Sequence, residues 1–216
     1  VLLLMGFEPF AGEPVNPSLE LARALHGERI GGLRVVAQPL PCSFGATAAA
    51  LDAALARWSP RLVVVLGQAG GRCELAFERV AINLVDAPIP DNAGEQPVDT
   101  PVVPGGPAAY FSSLPVKAMV AAARAAGVPA SVSLSAGSYV CNQAFYALMH
   151  RLAAGREPVP GGFVHLPWLP EQASRRAGQP SMPLATMALG LRAALAAACA
   201  RPGGGGDLAE PAGFTH

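Results

Sequence analysis

Short apolar runs alternate along this chain with longer stretches of helical periodicity. Residues 1–5 read Val-Leu-Leu-Leu-Met, and residues 61–66 read Arg-Leu-Val-Val-Val-Leu. Continuous apolar runs of this length mark strands buried on both faces, the usual state in parallel sheets. Further strands are expected at 33–38, 78–84, 130–134 and 162–165. Apolar residues at helical spacing predict helices at 17–25, 46–58, 116–126, 143–153 and 183–200. The first opens on Asn16-Pro17-Ser18, a capping residue followed by proline at the first helical position. The last is Ala-rich with Arg192 at its centre, which reads as an amphipathic surface helix.

Repeated strand–helix alternation without an internal repeat predicts an α/β fold: a single-domain, three-layer α/β/α sandwich with a mostly parallel central sheet. The domain is expected to span residues 1–201, with 202–216 as a flexible tail. Ligands in such sheets bind beyond the carboxyl ends of the strands. The loops after residues 6, 67, 135 and 165 are therefore expected to gather on one rim. Residues 86–107 are rich in Pro, Gly and Asp and long for a loop, which suggests a lid or binding loop.

Composition narrows the classes. The 216 residues are 51% hydrophobic and only 14% charged, so apolar surface should remain for a homo-oligomer. Fifteen basic residues balance fifteen acidic ones, and no basic block marks a nucleic-acid face. No membrane span is expected. The run at 1–5 is too short and lacks the basic flank of a signal peptide, so the cytoplasm is the expected compartment. There Cys42, Cys73, Cys141 and Cys199 should be reduced; none forms a C-x-x-C pair, and neither a metal nor a cofactor is indicated.

Cys141 carries the strongest chemical signal. It lies between an apolar strand and a helical pattern, in Ser138-Tyr139-Val140-Cys141-Asn142-Gln143. A thiol at a helix N-terminus is biased toward thiolate. The alternative is a small buried apolar residue. His165 ends a short strand just before Pro167, where it is either a general base or a structural histidine. His26 and His150 sit at helix C-termini and His216 is the last residue, so they are weaker candidates. Glu78 lies in a mostly apolar run and needs a partner if buried. It either orients His165 or pairs with Arg72 or Arg79. Cys, His and Glu together would carry out acyl transfer through a thioester. The glycines of Gly67-Gln68-Ala69-Gly70-Gly71-Arg72 match neither a dinucleotide fingerprint nor a P-loop, and suit close backbone approach to a small ligand. Phe7 and Phe10 are either core or the walls of a small apolar pocket.

Several segments together resemble the pyroglutamyl peptidase I (pyrrolidone-carboxylate peptidase) family of cysteine peptidases. They are Gly6-Phe7-Glu8-Pro9-Phe10 with Asn16-Pro17-Ser18, the Gly67–Arg72 loop, and Glu78-Arg79-Val80-Ala81-Ile82-Asn83. Ile89-Pro90-Asp91-Asn92, Pro107-Ala108-Ala109-Tyr110-Phe111, Tyr139-Val140-Cys141-Asn142 and His165-Leu166-Pro167 follow in the family's order. The resemblance implies removal of N-terminal pyroglutamate from peptides, with Cys141 as nucleophile, His165 as base then acid, and Glu78 as orienting carboxylate. It implies that Phe7 and Phe10 sandwich the lactam ring, with Ile89, Tyr139 and Val140 completing the pocket. Asn16 and the main chain at Gln68 would meet the lactam's polar edge. It also implies a dimer or tetramer. One departure stands out: where the family usually reads Asp-Ala-Arg-Ile-Pro, this chain has Asp86-Ala87-Pro88-Ile89-Pro90. The family arginine is expected near the reacting carbonyl. Its replacement by Pro88 leaves a second expectation, a pyroglutamate- or peptide-binding protein with weakened catalysis.

Overall fold

The structure is a computed structural model that describes residues 1–155, 157–201 and 206–213. Seven strands form one sheet in the order β2-β3-β1-β4-β9-β5-β8. Four run parallel side by side: β3 (Leu33–Leu40), β1 (Leu2–Phe7), β4 (Leu62–Gln68) and β9 (Gly161–Leu166). The apolar runs at 1–5 and 61–66 thus become adjacent strands at the sheet centre, with every residue of β1 buried. Edge strand β2 (Arg29–Ile30) is antiparallel to β3. At the other side, β5 (Leu75–Glu78) runs antiparallel to β9, and β8 (Ala130–Ser133) runs parallel to β5. The sheet is mostly parallel, with this reversed pair closing one side.

Helices cover both faces. Against one pack α1 (Pro17–Ala24), α3 (Val116–Ala125) and α6 (Leu184–Cys199), burying Leu21, Met119, Leu191 and Leu195 against Val64, Phe77 and Val164. Against the other pack α2 (Phe44–Trp58) and α4 (Val140–Ala154), burying Leu51, Phe145 and Leu148 against Val63, Val65 and Phe163. Alternate residues of each strand feed the two cores, as the two-residue side-chain period requires. Each fully buried Phe or Leu contributes roughly 1.5–3 kcal/mol relative to exposure. Helix α6 is amphipathic as its sequence suggests: Arg192 stays on the surface and pairs with Glu28 at 2.8 Å. A four-residue helix, α5 (Pro170–Ala173), follows β9.

Two expectations are corrected. The run at 78–84 is not one strand. Sheet pairing ends at Glu78, and β6 (Val80–Ile82) leaves to pair with β7 (Ala109–Phe111) in a separate two-stranded sheet. Arg79 marks the break: its N–H donates to Ser133 O, and its carbonyl accepts from Ser112 N. The rim is also not made only of carboxyl ends. Because β8 runs opposite to β9, it ends at Ser133, level with Glu78 and Phe163, and the Ser135 loop leaves the sheet there rather than beyond the carboxyl end of β9.

The 86–107 segment is tied down rather than loose. Asp91 accepts from the N–H groups of Phe44, Ala93 and Glu95. Asn83 holds Val103 and Gly106, and Val85 bridges Thr100. Of the expected tail, 202–205 and 214–216 lie outside the described residues, as does His216. Residues 206–213 lie along α3, where Asp207 accepts from the N–H groups of Lys117 and Ala118, each at 2.9 Å.

Candidate active site

Helix α4 begins at Val140, with Tyr139 at its N-cap offering no side-chain bond to the first-turn amides. Cys141 is therefore the second helical residue, among unpaired N–H groups at the positive end of the dipole. Asn142 locks this end in place. Fully buried, it accepts from Ile82 N and donates to the carbonyls of Ile82 and Leu84.

The sheet presents the partner groups beneath. Gly67 on β4 is level with His165 on β9. A β-carbon on Gly67 would stand 2.9 Å from Cys141 Sγ, so the sulfur sits directly over this glycine. On the antiparallel neighbour β5, Glu78 faces Phe163 and Ala76 faces His165. Glu78 and His165 are thus a diagonal pair on one face, a separation that long side chains can bridge. His165 Nδ1 donates to Glu78 Oε1 at 2.8 Å, and Nε2 makes no hydrogen bond among the described residues. Glu78 is fully buried and His165 is buried against the Phe163 ring, 4.8 Å away.

Glu78 Oε1 meets both expected partners at once: His165 Nδ1 at 2.8 Å and Arg72 Nη1 at 3.2 Å. Arg79 instead points to Asp207 at 3.7 Å. Glu78 Oε2 is buried without a hydrogen-bond partner among the described residues. Arg72 Nη2 also donates to Ser135 O at 3.2 Å.

Two influences oppose each other at the thiol. Burial pushes the Cys141 thiol well above its ordinary range, repulsion from Cys42 and Glu78 adds to this, and only Arg72 opposes it. Burial also lowers the His165 pKa below its ordinary value, against the hydrogen bond and charge of Glu78. Desolvation thus works against the bias of the helix N-terminus, disfavouring the charged form of both the thiol and the imidazole.

The residues expected around the lactam fall into two layers. Phe7 and Val140 are buried; Phe7 packs 6.4 Å from Phe163. Above them Phe10 and Tyr139 are half-exposed, with ring centroids 6.1 Å apart. The Tyr139 hydroxyl donates to Pro90 O, beside Ile89, which is exposed. Asn16 is buried, and its side chain is committed within the protein. Its Oδ1 accepts from the Ser18 N–H and hydroxyl, and Nδ2 donates to Glu8 O. The Gln68 side chain accepts from Gln172 Nε2 at 2.9 Å. Pro88 is exposed on the same loop as Ile89. Sequence reasoning assigned no role to Asn142, Asp91 or Gln172; each is an ordinary polar residue with at least one partner far away in the chain. Among the described residues, no cluster of three His, Cys, Asp or Glu side chains is arranged to hold a metal.

An α/β sheet carrying a helix-capped thiol over an imidazole–carboxylate pair is the layout of a cysteine peptidase. The chain belongs to the pyroglutamyl peptidase family, whose model matches residues 1–201. It is 56% identical to the pyrrolidone-carboxylate peptidase of Cupriavidus taiwanensis, covering 100% of this chain and 99% of that one. It is 55% identical to that of Klebsiella pneumoniae, over 91% of this chain and 92% of the relative. Among solved structures, pyroglutamyl peptidase I from Bacillus amyloliquefaciens superposes with a TM-score of 0.89 at 42% identity, covering 92% of this chain and 96% of that one. A variant of the Pyrococcus furiosus pyrrolidone carboxyl peptidase superposes with a TM-score of 0.88 at 38% identity, over 91% and 97% of the two chains.

Proposed function

We propose that this enzyme hydrolyses the bond after an N-terminal pyroglutamyl residue by acyl transfer to Cys141. The observation that carries the reading is the buried His165–Glu78 hydrogen bond on the strands beneath the Cys141 helix end. Family membership supplies the substrate class. His165 Nε2 takes the thiol proton as Sγ attacks the pyroglutamyl carbonyl carbon. The backbone N–H of Cys141 faces the developing oxyanion. The intermediate collapses with cleavage of the C–N bond, and His165 returns its proton to the leaving amine. Water then attacks the thioester, losing its proton to His165. The C–S bond breaks, pyroglutamate leaves, and the proton returns to sulfur. Glu78 holds the imidazole tautomer and stabilises the imidazolium in each half.

Phe7, Phe10, Ile89, Tyr139 and Val140 form the apolar slot for the lactam, with the Gln68 main chain at its polar edge. Asn16 acts on that slot through Glu8 O and the loop bearing Phe10. Such a slot excludes a charged α-ammonium, which would be buried without a partner. A mechanism that needs a reduced thiol suits the cytoplasm, and the apolar composition suits a dimer or tetramer. Among the described residues, no helix is long and apolar enough to cross a membrane.

The test is a matched set of dipeptides, pyroglutamyl-Ala, Pro-Ala and Glu-Ala, with products identified by mass spectrometry. Release of alanine from the first alone is expected. Binding of pyroglutamyl-Ala without cleavage would instead favour the weakened binding protein implied by Pro88.

A further inference from the structure

Arg72 touches both halves of the site. We propose that Arg72 is a positioning residue, clamping the Glu78 carboxylate with one guanidinium nitrogen and the Ser135 carbonyl, in the segment leading to Cys141, with the other. The inference rests on the thiol-peptidase reading and deepens it.

Three observations carry it. First, Glu78 is fully buried, its Oε2 has no partner among the described residues, and its Oε1 accepts from His165 while forming an ion pair with Arg72 Nη1 at 3.2 Å. A buried carboxylate needs a lasting counter-charge. His165 cannot supply one throughout, because it must alternate between neutral and charged forms. Arg72 stays charged at every stage. Second, the other contact, Nη2 to Ser135 O, ties the base side of the site to the strap that returns from β8 to the α4 N-terminus. A planar fork can hold two acceptors at fixed geometry; a lysine ammonium cannot do so with the same precision. Third, the turn that aims Arg72 is built for it. Arg72 N–H donates to Ala69 O, and Gly71 has φ +86°, a left-handed conformation that favours glycine. Gly70 packs so closely on Trp168 that a β-carbon would stand 2.4 Å from its ring.

The charge also reaches the reacting groups. The groups acting on His165 are Glu78 from β5 and Arg72 from this turn, with Cys141 above on α4. Arg72 favours the thiolate of Cys141 and disfavours the imidazolium of His165. Among the described residues, Arg72 is the cation that acts on both.

The test compares full-length wild type, Arg72→Gln and Arg72→Lys. One readout is the pH dependence of Cys141 alkylation by iodoacetamide, resolved by peptide mass spectrometry. The other is kcat and KM on a pyroglutamyl–coumarin amide. Arg72→Gln is expected to move the Cys141 alkylation profile to higher pH and to lower kcat about tenfold or more, with KM changed less. Arg72→Lys is expected to hold the alkylation profile and recover part of kcat. Superimposable profiles and kcat for wild type and Arg72→Gln would overturn the proposal. So would an equal fall in kcat for both variants with unmoved profiles, which is what a purely structural arginine would give. If Arg72→Gln does not fold, as judged by circular dichroism, Arg72→Met takes its place beside Arg72→Lys, with the same expected result and the same overturning results. Alkylation needs no substrate. A wild type without turnover would therefore sink the peptidase reading while the Arg72 profiles still answer their own question.

Discussion

A β-carbon on Gly67 would stand 2.9 Å from the Cys141 sulfur and 2.6 Å from Cζ of Phe163. The thiol can therefore rest on the sheet only because this position has no side chain. The glycine is level with His165, so the same close approach sets the height of the nucleophile against its base. Gly67→Ala is expected to displace the sulfur and the Phe163 ring. Overpacking of this kind costs about 1–3 kcal/mol. A lowered Tm with a kcat loss of more than tenfold is expected; unchanged kinetics in a folded variant would show that the sulfur is not seated there.

Glu78→Gln removes the charge that stabilises the His165 imidazolium while keeping the shape of the side chain. A fall in kcat on the order of 100-fold or more is expected, with KM little changed. Steady-state kinetics on a pyroglutamyl amide check this. A larger effect on KM than on kcat would move Glu78 from the chemistry to substrate binding.

Burial holds the His165 pKa below its ordinary value of 6.5. The base therefore stays neutral, and kcat/KM should stay on its plateau, to lower pH than an exposed histidine would allow. The same shift bears on stability. The unfolded chain protonates this histidine near 6.5, whereas the folded chain resists until lower pH. The contribution of His165 is thus complete above about 6.5 and is lost as pH falls toward the folded value. Wild-type Tm is expected to fall more steeply below pH 6.5 than that of His165→Asn. Parallel Tm curves would contradict the shift.

Asp207 caps a helix that has no cap of its own. Pro115, at the N-cap of α3, makes no side-chain bond, and Asp207 accepts from Lys117 N and Ala118 N across about ninety residues. Asp207→Ala is expected to destabilise the fold by about 1 kcal/mol, read from urea denaturation. Because Asp207 pairs with Arg79, whereas the arginine beside Glu78 is Arg72, kcat should hardly change. A kcat loss without a stability loss would refute this assignment.

Local pattern made much of the fold legible. The apolar runs at 1–5 and 61–66 and the Asn16-Pro17-Ser18 cap predict β1, β4 and the start of α1 because burial and capping act within a few residues. What escaped was set by distant partners. The alternation at 78–84 is real, but its two halves belong to different sheets, and nothing local marks the change at Arg79. The reversal of β5 and β8 depends on which edge receives them, which a run such as Leu75-Ala76-Phe77-Glu78 does not encode. The site follows the same rule. Cys141 and His165 stand out by their place at element ends, and Glu78 by its apolar surroundings. The balance at the thiol is set by desolvation as well as by the helix N-terminus, and desolvation depends on the folded surroundings rather than on local sequence.

The central claim is that Cys141 is the nucleophile of a pyroglutamyl peptidase. Its most direct test is release of aminocoumarin from a pyroglutamyl–coumarin amide by wild type and by Cys141→Ala, both shown to be folded. Turnover by the wild type that is abolished in the variant is the predicted result. Equal turnover by both, or none by the folded wild type, would contradict the account.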